Sequence, residues 1–205
     1  MRKTLALVLA LMLCMSATAM AEFVPSKTTG SMTNFTATAE NLPEGASFTL
    51  GTLLLEGELT PEQEKLLASC ESQLAALSKS ESVAAYFGAV VNANGEPVSL
   101  SDLLGTSELK VYEFCPIVAD SFDLSYGNVT AQLLFSTPYE AGEEVAVLVG
   151  IIAEDETVAW TAFDGVVKEA VEQDDASYGC IEVVFTPEII AAIQENPAIL
   201  AVVSK

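Results

Sequence analysis

The sequence predicts an α+β protein, with an N-terminal α+β region that contains one main helix and a C-terminal β-sandwich. Two stretches carry this prediction. Residues 127–152 contain two runs typical of strands, joined by a turn. The N-terminal half instead contains a helix start at Thr60 and Pro61, after which apolar residues recur at helical spacing.

The two predicted strands within residues 127–152 show different patterns. In the first, Val129–Phe135, every second residue is apolar, which is typical of a strand with one buried face. In the second, residues 145–152 form an unbroken apolar run rich in β-branched side chains, which favours a strand buried on both faces. Pro138 and Gly142 predict the turn between them.

The main predicted helix has a complete N-terminal signature. Thr60 is a capping residue, Pro61 suits the first helical position, and Glu62 and Gln63 occupy the first turn. The apolar residues that follow at helical spacing are Leu66, Leu67, Cys70, Leu74 and Leu77. We expect this helix to end near Ser78.

The remaining predicted elements are short and are separated by turn residues. The helical ones are residues 82–87, closed by Gly88, a capped turn at 101–105, and residues 188–195. The predicted strands are 34–38 with 46–55 as a hairpin, 89–91 with 97–100 as a hairpin, 109–118, 157–163, 180–185 and 199–203. Residues 165–171 are expected to be extended or weakly helical, and 120–127 and 172–179 to be loops. This succession of short strands predicts the sandwich over residues 106–205.

The first 21 residues have the pattern of a secretory signal peptide. Two basic residues precede an apolar run at residues 4–14, and Ala19-Met20-Ala21 is a cleavage motif. The apolar run is short for a membrane span. We therefore expect residues 1–21 to be removed, the mature protein to be secreted to the extracellular space without a membrane span, and two regions to follow, 22–105 and 106–205.

The chain is strongly acidic, with 29 Asp and Glu against 8 Lys and Arg and a net charge of −21. Loss of Arg2 and Lys3 with the signal peptide makes this −23. Such a charge excludes nucleic acid and anionic membrane surfaces as partners, since both require basic patches. A basic partner or a divalent cation is compatible with it, and the charge also keeps a secreted protein dispersed.

The residue types that are missing argue against an enzyme. The chain has no histidine, which removes serine–histidine and cysteine–histidine nucleophiles and the commonest general base. Its one arginine, Arg2, lies in the predicted signal peptide. A serine–lysine motif at Ser107 and Lys110 lacks the companion motifs of penicillin-interacting enzymes. A carbohydrate-active hydrolase that uses paired carboxylates stays open as an alternative.

Calcium is the metal that the sequence fits best, because calcium prefers oxygen ligands from loops. The predicted loops contain five candidate ligands, although no EF-hand spacing is present: Asp120, Asp123, Asp155, Asp174 and Asp175. On so acidic a chain, these loops are also compatible with simple hydration.

Three cysteines follow the signal peptide: Cys70, Cys115 and Cys180. Because the number is odd and each has apolar neighbours, we predict three reduced, buried thiols, with a Cys115–Cys180 disulfide as the alternative. Trp160 is predicted to lie in the core, with Phe163 on the opposite face of the same strand.

Three features resemble uncharacterised small secreted proteins of Gram-positive anaerobic bacteria. They are the signal peptide, the residues Thr137-Pro138-Tyr139 with Gly142 before the strand at 145–152, and the C-terminal Leu200-Ala201-Val202-Val203-Ser204. The resemblance implies an immunoglobulin-like C-terminal module and implies no catalytic residues.

The sequence therefore predicts a secreted, acidic, non-enzymatic binding or structural module of the bacterial cell exterior. Its expected ligand is an unidentified protein or glycan. The alternatives are the carboxylate-based hydrolase and a subunit of a secreted assembly that joins its neighbours through an exposed strand edge.

Overall fold

The computed structural model describes residues 32–52, 59–135, 141–173 and 176–205. This part of the protein is mostly β, with four α-helices and one large sheet that is nearly closed into a barrel. The predicted α+β class, rich in β-structure, is confirmed at this level. The strand arrangement is not specifically immunoglobulin-like.

The elements follow one another along the described chain with short connections. The strands are β1 Met32–Ala39, β2 Thr49–Thr52, β3 Val90–Asn92, β4 Pro97–Val98, β5 Lys110–Asp120, β6 Val129–Phe135, β7 Glu144–Ile152, β8 Val158–Gln173, β9 Ala176–Phe185 and β10 Ala198–Ser204. The helices are α1 Pro61–Leu77, α2 Val83–Phe87, α3 Leu100–Leu103 and α4 Pro187–Glu195, and a 3-10 helix spans Leu124–Tyr126.

The main sheet has the strand order β1-β6-β9-β8-β7-β10-β5-β2. Each neighbouring pair in this order is antiparallel. The first and last strands, β1 and β2, also contact one another, which brings the two edges of the sheet together. The short hairpin of β3 and β4, predicted from the sequence and confirmed, joins the sheet by parallel pairing of β3 with β8.

The predicted hairpin between residues 34–38 and 46–55 is wrong. Strand β1 pairs with β6, and β2 pairs with β5. The backbone after β1 is held instead by the loop before β6, since the amides of Glu40 and Asn41 donate to the carbonyls of Asn128 and Tyr126 at 3.0 and 2.8 Å. The sheet thus contains strands from both sides of residue 105, and the division into regions 22–105 and 106–205 stays a prediction.

The first of two apolar cores fills the interior of the nearly closed sheet. Alternate residues of the main strands point inward, and Phe135, Phe185 and Leu133 are fully buried there. Helix α4 covers one end of this interior with Ile189, Ile190 and Ile193. Complete burial of each such side chain contributes about 1.5–3 kcal/mol, so this core is a main source of stability.

The second core lies between the outer face of the sheet and the helices α1 to α3. Trp160 is 4% exposed there, and its ring packs edge to face against Phe87 with centroids 4.8 Å apart. Phe163, three residues further along β8, belongs to the interior core. The predicted core position of Trp160 and the opposite orientation of Phe163 are confirmed.

Helix boundaries agree well with the sequence signals. Thr60 caps α1 in a capping box, because its hydroxyl accepts from the amide of Gln63 at 3.3 Å and the Gln63 side chain accepts from the Thr60 amide at 2.9 Å. The predicted helix at 188–195 is α4, which Thr186 caps by accepting from the amide of Ile189. Helix α3 begins at Leu100, one residue before the predicted turn at 101–105, because Ser99 is its cap.

Strand β8 is longer than the sequence suggests. It runs without a break from Val158 to Gln173, through the stretch expected to be extended or weakly helical. The polar loop predicted over residues 172–179 is wrong, since β8 and β9 extend into it and pair there. A long strand tip that is rich in charged residues resembles a loop when only the sequence is considered. Residues 174 and 175 lie outside the described residues, as do the predicted signal peptide at 1–21 and residues 137–140 of the predicted turn at 137–142.

The three described cysteines are free and buried, which confirms the predicted reduced thiols. Cys115 lies on β5 and Cys180 on β9, and these strands are not neighbours in the sheet. Burial raises the pKa of the Cys70 thiol to about 12, and the nearby Glu71 carboxylate adds to the effect. Burial also raises the pKa of the Cys115 and Cys180 thiols, so all three are protonated near neutral pH.

Gly150→Ala is expected to destabilise the protein by about 1–3 kcal/mol. A Cβ atom at this position of β7 would lie 2.6 Å from Trp160 Cζ3 and from Val158 Cγ1. Gly51→Ala on β2 is the matched control, because its Cβ would meet nothing within 4 Å. Urea unfolding measures both, and equal destabilisation of the two variants would contradict the packing described for Trp160.

Thr60→Ala should lower the free energy of unfolding by about 1 kcal/mol, because it removes the hydroxyl that caps α1. Thr60→Ser keeps that hydroxyl and should stay close to the parent. Chemical denaturation followed by circular dichroism provides the comparison. Equal stability of the alanine variant and the parent would show that the capping box contributes nothing.

In protein expressed from Glu22 onward, three thiols should react with a disulfide reagent only after unfolding. The native reaction should be at least about 100-fold slower than in denaturant, because buried thiols form little thiolate. Fewer than three reactive thiols in denaturant would indicate a disulfide, and fast native labelling would show that the core is open.

Candidate functional site: the acidic end of the sheet

Four chain connections lie at one end of the nearly closed sheet. The antiparallel register places Ala39 opposite Val129 and Val129 opposite Phe185. It also places Ala198 opposite Ile151. These strands therefore all begin or finish at the same end of the sheet. The connections are residues 40–48 between β1 and β2, 120–128 leading into β6, 153–157 between β7 and β8, and 186–197, which include α4. We call these four segments the acidic end.

The acidic end contains nine carboxylates and no lysine or arginine. The nine are Glu40, Glu44, Asp120, Asp123, Glu154, Asp155, Glu156, Glu188 and Glu195. The lysines in the described part of the chain, at positions 65, 79, 110, 168 and 205, all belong to other segments. The four segments therefore carry nine negative charges and no positive side chain.

Three of the predicted calcium ligands belong to the acidic end: Asp120, Asp123 and Asp155. The structure thus brings together segments that are far apart in sequence. Asp174 and Asp175 lie outside the described residues. In the described ranges, no group of three or more histidine, cysteine or acidic residues is arranged to hold a metal ion. Calcium binding stays a prediction.

Each of these three aspartates organises its own loop. Asp123 Oδ1 accepts from the amide and the hydroxyl of Ser125 at 2.8 and 2.5 Å. Asp155 Oδ1 accepts from the amide and the hydroxyl of Thr157 at 3.1 and 2.6 Å, and Asp120 Oδ1 from the amide of Ser121 at 2.7 Å. The bonds to Asp123 and Asp155 form Asx turns, in which a short side chain replaces a backbone acceptor, whereas Asp120 bonds the amide of the next residue. One signal for this role was present in the sequence, the hydroxyl residue two positions after Asp123 and Asp155.

The hydrogen bonds also set the protonation of two carboxyls. The hydroxyl and then the amide of Ser125 lower the pKa of Asp123, and Thr157 lowers the pKa of Asp155 in the same way. A general acid or base works best with a pKa near the operating pH. These two pKa values move away from neutrality, so the chemistry available to Asp123 and Asp155 is attraction of cations and acceptance of hydrogen bonds rather than proton transfer.

The acidic end also contains an exposed apolar residue. Leu124, on the 3-10 helix, is 57% exposed, the highest value among the large exposed apolar side chains of the described chain. Beneath it, Phe122 packs edge to face against Phe48 and Tyr126, with centroids 5.5 and 5.6 Å apart. Phe122 is buried in the interior core, so the loop is anchored to the core while Leu124 faces solvent. A single leucine in a polar loop carries no signal that sequence reasoning can use.

The loops that carry these residues are held together by specific contacts. The Glu40 carboxylate accepts from the amide and the side-chain Nδ2 of Asn128 at 3.3 and 3.1 Å. Gly127 has φ +76°, and a Cβ atom there would lie 2.8 Å from Asn41 Nδ2. Residues with a Cβ atom rarely adopt this positive φ, so the backbone conformation favours glycine here. The surface is consequently preorganised, which reduces the entropy lost on binding.

A buried carboxylate lies elsewhere and was missed by sequence reasoning. Glu113 on β5 is 1% exposed and pairs in register with Val202 of β10. A register shift next to this pair changes the alternation of β5, which places Val111 in the helix-covered core and Cys115 in the interior core. Within the run 109–118, Pro116 suggests a bulge or a sheet edge, but Pro116 pairs in register and the shift lies between Val111 and Glu113, where no sequence pattern reveals it. Glu113 is on the half of β5 away from α4 and does not belong to the acidic end.

The outer face of β1, β6, β9 and β8 is a second exposed surface. Val166 and Val184 are 42% and 52% exposed there. The polar side chains around them bond to one another, with Lys168 Nζ 2.9 Å from Glu182 Oε1 and the Thr36 hydroxyl donating to Gln132 Oε1 at 3.5 Å. This face is therefore less charged than the acidic end.

Comparison of the chain with protein-family models, curated proteins and solved structures found no match. The resemblance to secreted bacterial proteins stays a prediction. Within the residues that the structure describes, none of the helices is long and apolar enough to cross a membrane.

The pKa of Asp123 is expected to lie below its ordinary value of 3.8. The bonds from Ser125 favour the ionised form, so their stabilisation is complete above that value and is lost as the pH falls through the lower folded-state pKa. NMR titration of the side-chain carboxyl measures it. Ser125→Ala should raise the pKa toward 3.8, and a parent pKa at or above 3.8 would contradict the hydrogen bonds.

Proposed function

We propose that this protein is a secreted, non-enzymatic binding module of the bacterial cell exterior, and that its acidic end contacts a positively charged segment of a protein partner. One observation supports the proposal. Leu124 is exposed, and it lies within the four segments of the acidic end, which carry nine carboxylates and no basic residue. Secretion and the bacterial exterior rest on the predicted signal peptide and on the resemblance.

Each feature of the acidic end has a distinct role in this proposal. The carboxylates attract a basic segment from solution and accelerate the encounter, because a surface of one charge steers a partner of the opposite charge. Leu124 then supplies apolar contact area, since burying a leucine side chain contributes about 1.5–3 kcal/mol at most. The hydrogen bonds that fix the loops keep both features in place before the partner arrives.

The competing explanation is that the acidic surface serves only to hydrate the protein and binds no partner. Acidic residues also lie on and after α1, where Glu64, Glu71 and Glu81 are exposed. If the charge serves only to keep the protein dispersed, its position does not matter. One variant therefore loses three carboxylates from the acidic end and the other loses three on and after α1. The two variants have the same net charge, so any difference between them comes from position.

The test is titration with a synthetic lysine–leucine peptide, using a lysine–serine peptide of the same length and charge as the probe control. Removing three carboxylates of the acidic end, by Glu44→Gln, Glu188→Gln and Glu195→Gln, should weaken binding of the lysine–leucine peptide about tenfold at physiological salt. The matched triple variant, Glu64→Gln, Glu71→Gln and Glu81→Gln, should change the Kd by less than about twofold.

Leu124→Ser should weaken binding of the lysine–leucine peptide and leave the lysine–serine peptide unaffected, because the substitution removes apolar area without changing charge. The exposed position of Leu124 makes its effect on stability small, within about 0.5 kcal/mol. Equal weakening by the two triple variants, or no measurable binding of the lysine–leucine peptide, would contradict the proposal.

The other predicted roles do not enter this proposal. The carboxylate-based hydrolase, the assembly subunit and a glycan ligand stay predictions. The immunoglobulin-like arrangement predicted for residues 106–205 is finer than the nearly closed sheet supports, and the acidic end does not depend on it.

A further inference from the structure

We draw no further inference here: the strongest candidate, the outer face of strands β1, β6, β9 and β8 around Val166 and Val184, is an unpartnered sheet face, and nothing in the structure shows what covers it.

Discussion

The burial of β10 on both faces is the constraint on which the rest of the fold depends. All seven residues of this strand are buried, and it pairs with β5 on one side and β7 on the other. Leu200 and Val202 face the interior core, whereas Ile199 and Val203 face the helices. A strand with two apolar faces is stable only between two covered layers. The interior core and the helical layer are therefore both required for β10 to fold.

This arrangement explains how the protein tolerates so much charge at one end. The acidic end carries nine carboxylates, and no lysine or arginine lies within those four segments to offset them. Cohesion comes instead from the two cores and from local hydrogen bonds, such as those that Asp123 and Glu40 accept. In the proposed function, these uncompensated negative charges attract a cationic partner. Stability and the proposed function thus depend on different parts of the molecule.

In this protein, the sequence predicts local structure better than it predicts which strands pair with one another. The capping box works because Thr60 and Gln63 are three residues apart, so both partners are visible in one short stretch. The pairing of β1 with β6 joins residues 90 or more positions apart, and no local pattern indicates it. Gly165 lies beyond the predicted strand at 157–163, but in the structure it is part of β8, where a Cβ atom would come within 2.9 Å of Val145 and Val147. The acidic composition was enough to predict the aspartate loops. Their common position at one end of the sheet follows from the strand order, which composition does not predict.

Native-state hydrogen exchange of the β10 amides tests the central claim most directly. If β10 depends on both cores at once, its amides should exchange only through global unfolding, with the same free energy and urea dependence as the buried turns of α1. If the helical layer opens separately, the α1 amides will exchange at a lower free energy while β10 stays protected. That second result would contradict the account, because β10 would then persist with one face uncovered.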